Sequence, residues 1–167
     1  MSRILCIVGR KAVGKTTLIE RLVPELRRLG YRVATVKRPP HHFDFDTPGK
    51  DSFRHFHAGA DATLVYGHGV VAVVRRAGEP LPAVEDLVAR HLPDFDLVLA
   101  EGHKTARLPK IEVYRASAHP APLYDGQPEF LAIASDERLD LGIPWLDLDD
   151  PPAIAAFVTT RFPLAPR

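Results

Sequence analysis

Cysteine is almost absent: Cys6 is the only one in 167 residues, so no disulfide can form within the chain. That usage suits a reducing compartment, and Cys6, set in an apolar run, reads as a small buried hydrophobe rather than a nucleophile. No apolar run approaches the roughly 20 residues of a membrane span. The first apolar stretch is about five residues long and leads straight into a polar loop, unlike a signal peptide; a cytoplasmic protein is expected. There is no charge excess either. The 22 basic residues face 21 acidic ones, far from the balance of a nucleic-acid-binding protein, so neither nucleic acid nor membrane is an expected partner. Internal repeats and low-complexity tracts are missing too. Lysine is scarce, 6 against 16 arginines, which makes the positions of Lys15, Lys37, Lys50, Lys104 and Lys110 informative: all fall in polar stretches.

What is present begins with GRKAVGKT, Gly9 to Thr16. This is the spacing G-x-x-x-x-G-K-[ST] of a phosphate-binding loop. A loop that wraps a polyphosphate must turn several N–H groups inward, which needs backbone angles and close approaches that glycine tolerates best. The following helix adds its positive N-terminal end. Lys15 is expected to reach the β- and γ-phosphates and the Thr16 hydroxyl to hold Mg²⁺. Ile4–Val8 before the loop reads as a strand, and the apolar residues of Thr17–Leu29 recur with a helical period. Pro24 inside that helix is a candidate kink, and Gly30 its C-terminal stop.

Further along, residues 31–37 read as a second strand and the aperiodic stretch from 38 to 50 as a long loop of functional length. A helix is expected over 51–60 with Asp51 as N-cap, then a β-hairpin around Gly67–Gly69 within 62–76. A helix over Pro82–Leu92 precedes a buried strand, DFDLVLAEG. KIEVY in 109–115 reads as an alternating strand, 116–129 as loop, and FLAIASD as an apolar strand. A short strand within 143–151 and a helix over 152–161 complete the pattern. Strands alternating with helices predict an α/β protein: a mainly parallel sheet flanked by helices, with the hairpin inserted. One domain is expected over residues 1–162, with 163–167 a frayed tail.

Ligands in such sheets bind beyond the C-terminal ends of the strands. That rule selects Gly9–Thr16, Lys37–Asp46, Glu101–Lys104 and Ser135–Asp136. Glu101 ends its strand at this edge, whereas Asp96 lies about 16 Å away at the opposite edge. Glu101 is therefore the candidate metal ligand or water-positioning base; the alternative is a solvated strand-end carboxylate. Asp46 is a second metal candidate, or else the start of an Asx turn before Pro48. His41 and His42 are adjacent and point apart in an extended chain, which argues against a shared zinc site. His103 follows the acidic strand and reads as a substrate contact or an ordinary loop histidine. Asp136 either reads the Watson–Crick edge of guanine or caps a helix.

The stretch from Val8 to Ala60, with HHFD and PGKDS, together with DLVLAEGHK and PKIEVYR, resembles the molybdopterin-guanine dinucleotide biosynthesis protein B family. The resemblance covers most of residues 3–136. It implies a P-loop NTPase fold, binding of GTP with Mg²⁺, weak hydrolysis, dimer formation and assistance to the guanylyltransferase that joins GMP to molybdopterin. It carries over Gly9, Arg10, Lys11, Ala12, Val13, Gly14, Lys15, Thr16 and Thr17 as the phosphate loop. Glu101 and Gly102 carry over as the Walker-B-like element, and Asp46, Gly49, Lys50 and Asp51 as a second motif. No N-K-x-D guanine motif is present, so guanine preference rests on the resemblance and on Asp136. Lys15 and Glu101 are the expected catalytic residues. Two other classes fit the same loop: a small-molecule kinase using Mg-ATP, and a binding module that does not hydrolyse.

Overall fold

The computed structural model describes residues 3–39, 44 and 46–164. In chain order its elements are β1 (Arg3–Val8), α1 (Lys15–Arg28), β2 (Val33–Lys37), α2 (Asp51–His57), β3 (Ala62–Gly67), β4 (Val70–Arg75), α3 (Val84–His91), β5 (Leu97–Glu101), β6 (Lys110–Tyr114), β7 (Phe130–Ser135), β8 (Trp145–Asp147) and α4 (Pro151–Arg161). They fall into two compact units, one of residues 1–38 and 84–167 and one of residues 39–83.

The first unit is built on a six-stranded sheet in the order β2-β5-β1-β6-β7-β8, and every neighbouring pair is parallel. This is the expected α/β architecture. Period-two alternation sorts each central strand between two apolar layers. Leu5, Ile7, Leu97, Leu99, Ile111 and Val113 join Leu18, Leu22 and Leu26 of α1 and Ile154 and Val158 of α4 on one face. Ile4, Cys6, Val8, Val98 and Ala100 join Val84 and Val88 of α3 on the other. Leu22 is fully buried; truncating such a leucine to alanine costs about 2–5 kcal/mol.

Helix α1 runs on through Pro24. It ends in a Schellman motif: the Gly30 N–H donates to Arg27 O at 3.0 Å and the Tyr31 N–H to Leu26 O at 3.1 Å, with Gly30 at φ 90°. Gly30 is thus the residue after the C-cap, which is Leu29. The Tyr31 hydroxyl donates to Phe162 O at 2.6 Å, and the Arg3 guanidinium donates to Pro163 O. Residues 165–167 of the expected tail lie outside the described residues.

Among the described residues no helix links β5 to β6, β6 to β7 or β7 to β8, in keeping with the loop expected over 116–129. Loops make those crossovers, and Leu108, Leu123, Tyr124 and Ile143 cover the face that a helix would otherwise cover. One expectation needs correction: β6 alternates in sequence but is buried at all five positions. Its charged face, Lys110 and Glu112, is 2% and 1% exposed because the 116–129 loop folds over it.

The second unit holds α2 and the antiparallel pair β3–β4. The N-cap of α2 is Lys50, with Asp51 the first helical residue. Gly67 faces Val70 across the hairpin, leaving a two-residue turn, His68–Gly69, with φ 49° and 77°. Positive φ at both positions is the type I′ geometry that matches strand twist. Arg76 ties the helix to the hairpin: its guanidinium sits 4.6 Å from the Phe56 ring centroid and Nη2 donates to Phe56 O at 2.9 Å. The hairpin leaves Leu64, Val65, Tyr66, Val70, Val71 and Val73 exposed.

Candidate functional site

The loop from Gly9 to Lys15 joins the end of β1 to the start of α1. Gly9 is required there: a Cβ would lie 2.4 Å from the Val113 carbonyl oxygen, a contact no side chain survives. Gly14, the N-cap of α1, sits at φ 97°, and Ala12 holds φ 65°, a left-handed conformation that costs an alanine about 1 kcal/mol. Three side chains hold the loop in that shape by its carbonyls. Lys15 Nζ donates to Arg10 O at 2.7 Å, His119 Nε2 to Lys11 O at 2.8 Å, and Arg115 Nε to Val13 O at 3.2 Å. Among the described residues, the backbone N–H groups of residues 10–14 have no acceptor. A run of unpaired N–H groups at a helix N-terminus is an anion cradle.

The acidic partner stands beside it. Glu101 shares strand parity with Leu97 and Leu99, which places it on the α1 face. Thr16 Oγ1 lies 3.1 Å from each of its carboxylate oxygens and donates to them. Lys37 Nζ lies 3.3 Å from the same carboxylate, its residue paired with Glu101 in the β2–β5 register. The Glu101 side chain is 15% exposed. A hydroxyl and a carboxylate side by side are hard oxygen donors, the set that suits Mg²⁺ completed by phosphates and water. Partial burial lowers the Lys15 pKa; Glu101 opposes that shift, while Lys104 and Lys37 reinforce it. Asp96 is at the far edge, as the strand direction requires, where its carboxylate accepts from the Arg32 N–H at 2.7 Å.

Asp136 follows β7, and no helix begins there, which removes the capping alternative. Its Oδ2 accepts from Arg115 Nη1 at 2.9 Å. Arg115 thus bridges the phosphate loop and Asp136. Sequence reasoning did not give Arg115 or His119 this role; both gain it only because β6 lies between β1 and β7. Lys37 was legible only as part of a polar stretch at the right edge.

His103 (φ 58°) is held in the left-handed region. Its Nε2 is buried without a partner among the described residues, and burial lowers its pKa, with Arg38 adding to the effect and Glu85 opposing it. Glu112, on β6, accepts from the Leu123 N–H at 2.6 Å and the Tyr124 N–H at 2.9 Å. Burial raises its pKa against those bonds and against Arg10 and Lys104. Asp46 belongs to the second unit. Its Oδ1 accepts from the Thr47 N–H at 2.7 Å, and a hydrogen bond from Ser52, then that from Thr47, lowers its pKa. His41 and His42 lie outside the described residues.

The family model described as "Molybdopterin guanine dinucleotide synthesis protein B" matches residues 4–136. A molybdopterin-guanine dinucleotide biosynthesis adapter protein of Haemophilus influenzae is 34% identical over 93% of this chain and 86% of its own. Its counterpart in Escherichia coli is 33% identical over 95% of this chain and 92% of its own. A crystal structure of molybdopterin-guanine biosynthesis protein B superposes with a TM-score of 0.75 at 33% identity, covering 95% of this chain and 98% of that one.

Proposed function

The chain belongs to the molybdopterin guanine dinucleotide synthesis protein B family, and from that premise we propose that it is a GTP-binding adapter of molybdopterin guanine dinucleotide biosynthesis. Its role in that biosynthesis is an adapter's. The observation that carries the nucleotide reading is the run of N–H groups over residues 10–14 that have no acceptor among the described residues, next to Lys15, Thr16 and Glu101.

The loop N–H groups and the N-terminal end of α1 receive the phosphates. Lys15 turns from Arg10 O to the β- and γ-phosphates. Thr16 and Glu101 would hold Mg²⁺, which when bound neutralises charge building on the phosphate oxygens. Glu101 also orients the water that attacks the γ-phosphate, and turnover is slow. Asp136 keeps lone pairs on both carboxylate oxygens to accept from guanine N1–H and N2–H, with Arg115 fixing its place relative to the loop. The partner is the guanylyltransferase of the same biosynthesis, and the working form is a homodimer.

The test is a calorimetric titration of Mg-GTP and Mg-ATP, followed by phosphate release with and without candidate acceptors. Tight GTP binding with slow release and no transfer supports the adapter. ATP preference with phosphate transfer to an acceptor replaces it with a kinase, and binding of neither nucleotide removes the reading.

A further inference from the structure

Outside the phosphate loop, the first unit has a cavity of about 350 Å³ lined by Lys104, Thr105, Ala106, Arg107, Lys110, Leu123, Gln127, Glu129 and Phe130. It lies between the β5–β6 loop and the 116–129 loop, where loops replace helices over the sheet. The β5–β6 loop shapes it by a descent from Glu101 to Lys110, and Pro109 O accepts from the Cys6 N–H at 2.9 Å.

The charge within it is unusual. Lys110 is 2% exposed, and among the described residues it forms no ion pair. Its Nζ donates to Ala106 O at 2.6 Å and lies 5.4 Å from the Phe130 ring centroid. One carbonyl and one ring face satisfy only part of an ammonium that has three donors. A buried cation with no ion-pair partner among the described residues is costly, so the position calls for an anion. Lys104 and Arg107, on the cavity's solvent side, likewise make no ion pair to a described residue. Three cations line the cavity against the single carboxylate of Glu129, which leaves about two positive charges to match.

We propose that this cavity is a second anion site, distinct from the phosphate loop, and that it takes a small phosphomonoester. A phosphomonoester carries about −1.5 to −2 charges near neutral pH and offers three acceptor oxygens, which matches the cavity's charge. A carboxylate would leave one cation unmatched. The volume admits a single-ring ligand and stands at the low end for small-molecule sites. The Gln127 amide and Thr105 hydroxyl add neutral donors at the mouth. Lys104 also depresses the Lys15 pKa, so the occupant of this cavity and the phosphates in the loop share one cation's field. The proposal does not depend on which nucleotide the loop binds.

The experiment is a calorimetric titration of the full chain with phenyl phosphate, inorganic phosphate and benzyl alcohol, at constant ionic strength. It uses wild type, Lys15→Ala, Arg107→Ala and Lys110→Met. Phenyl phosphate is expected to bind wild type and Lys15→Ala alike, and to bind Arg107→Ala at least tenfold more weakly, with Mg-GTP affinity unchanged in Arg107→Ala. Arg107 is exposed, so its variant keeps the test valid if Lys110→Met fails to fold. Inorganic phosphate binding as tightly as phenyl phosphate, with the same loss in Arg107→Ala, supports the anion site and assigns it to free phosphate. Loss in Lys15→Ala but not in Arg107→Ala assigns the anion to the phosphate loop and overturns the proposal. Equal binding of benzyl alcohol, or no binding of any probe at millimolar concentration, overturns it as well.

Discussion

The Thr16 hydroxyl and the Glu101 carboxylate meet at 3.1 Å across 85 residues of chain. Thr16 lies in the first turn of α1 and Glu101 ends β5, so the pair forms only when β1 and β5 lie side by side in register. Glu101→Gln keeps the size and removes the charge. It is expected to lower phosphate release from Mg-GTP by tenfold or more, about 1.4 kcal/mol per decade. Asp96→Asn, at the opposite edge, should leave release nearly unchanged. The measurement is single-turnover phosphate release at saturating nucleotide, and reversed effects would mean that the active edge is misplaced.

Lys15→Ala is expected to cost binding more than turnover. Losing a charge-assisted phosphate contact removes about 1.5–3 kcal/mol, tenfold or more in affinity. Calorimetry should show that loss with thermal unfolding unchanged. Unaltered affinity in both Lys15→Ala and Thr16→Ala would count against the phosphate loop.

Arg115 makes a different kind of contribution, since it touches Val13 O and Asp136 together. Arg115→Ala should weaken GTP binding about tenfold, in the range of a charged hydrogen bond. Asp136→Ala should then cost less in the Arg115→Ala background than alone, with a coupling of about 0.5–3 kcal/mol. Strict additivity in the double-mutant cycle would show that the two residues act separately.

Much of this was legible beforehand, and the reasons are specific. The strand before Gly9, the helix after it and the apolar run ending at Glu101 are local patterns, so period and spacing suffice to place them. Lys110 and Glu112 were not legible as buried residues. Their strand alternates like a half-solvated one, and the cover over its charged face comes from an aperiodic loop whose placement depends on tertiary packing. Lys37 and Arg115 acquire their partners from strand order, which one sequence does not display.

Glu112 ties stability to pH. Burial raises its pKa, so the folded state retains a proton that the unfolded chain releases on passing the ordinary glutamate value. Between that value and the raised one the folded state binds more protons, and stability falls as pH rises; above the raised value the loss is constant. Urea midpoints of wild type relative to Glu112→Gln should therefore decline through that window and then level off. A wild type that gains on the variant with rising pH would contradict the burial effect. Glu112→Ala, which strands the Leu123 and Tyr124 N–H groups, should cost about 1–3 kcal/mol.

The proposed homodimer is expected to form through the hairpin. Tyr66 faces Val71 and Leu64 faces Val73, and all four are exposed. A lone two-stranded sheet is marginal in water, and an apolar edge invites pairing. Sedimentation at micromolar concentration should give twice the 18.5 kDa chain mass, and Val71→Lys combined with Val73→Lys should give the monomer. A monomeric wild type would exclude this role for the hairpin.

Helix α4 packs with α1 in one apolar layer, and the Tyr31 hydroxyl reaches Phe162 O. A nascent chain leaves the ribosome N-terminus first, so the phosphate loop and its helix emerge long before their cover. Until the residues through Phe162 have been made, Leu18, Leu22 and Leu26 lack the α4 part of their packing. The helix that follows the phosphate loop is thus fully packed only after the residues of α4 have been made, and contacts of such long sequence separation form slowly.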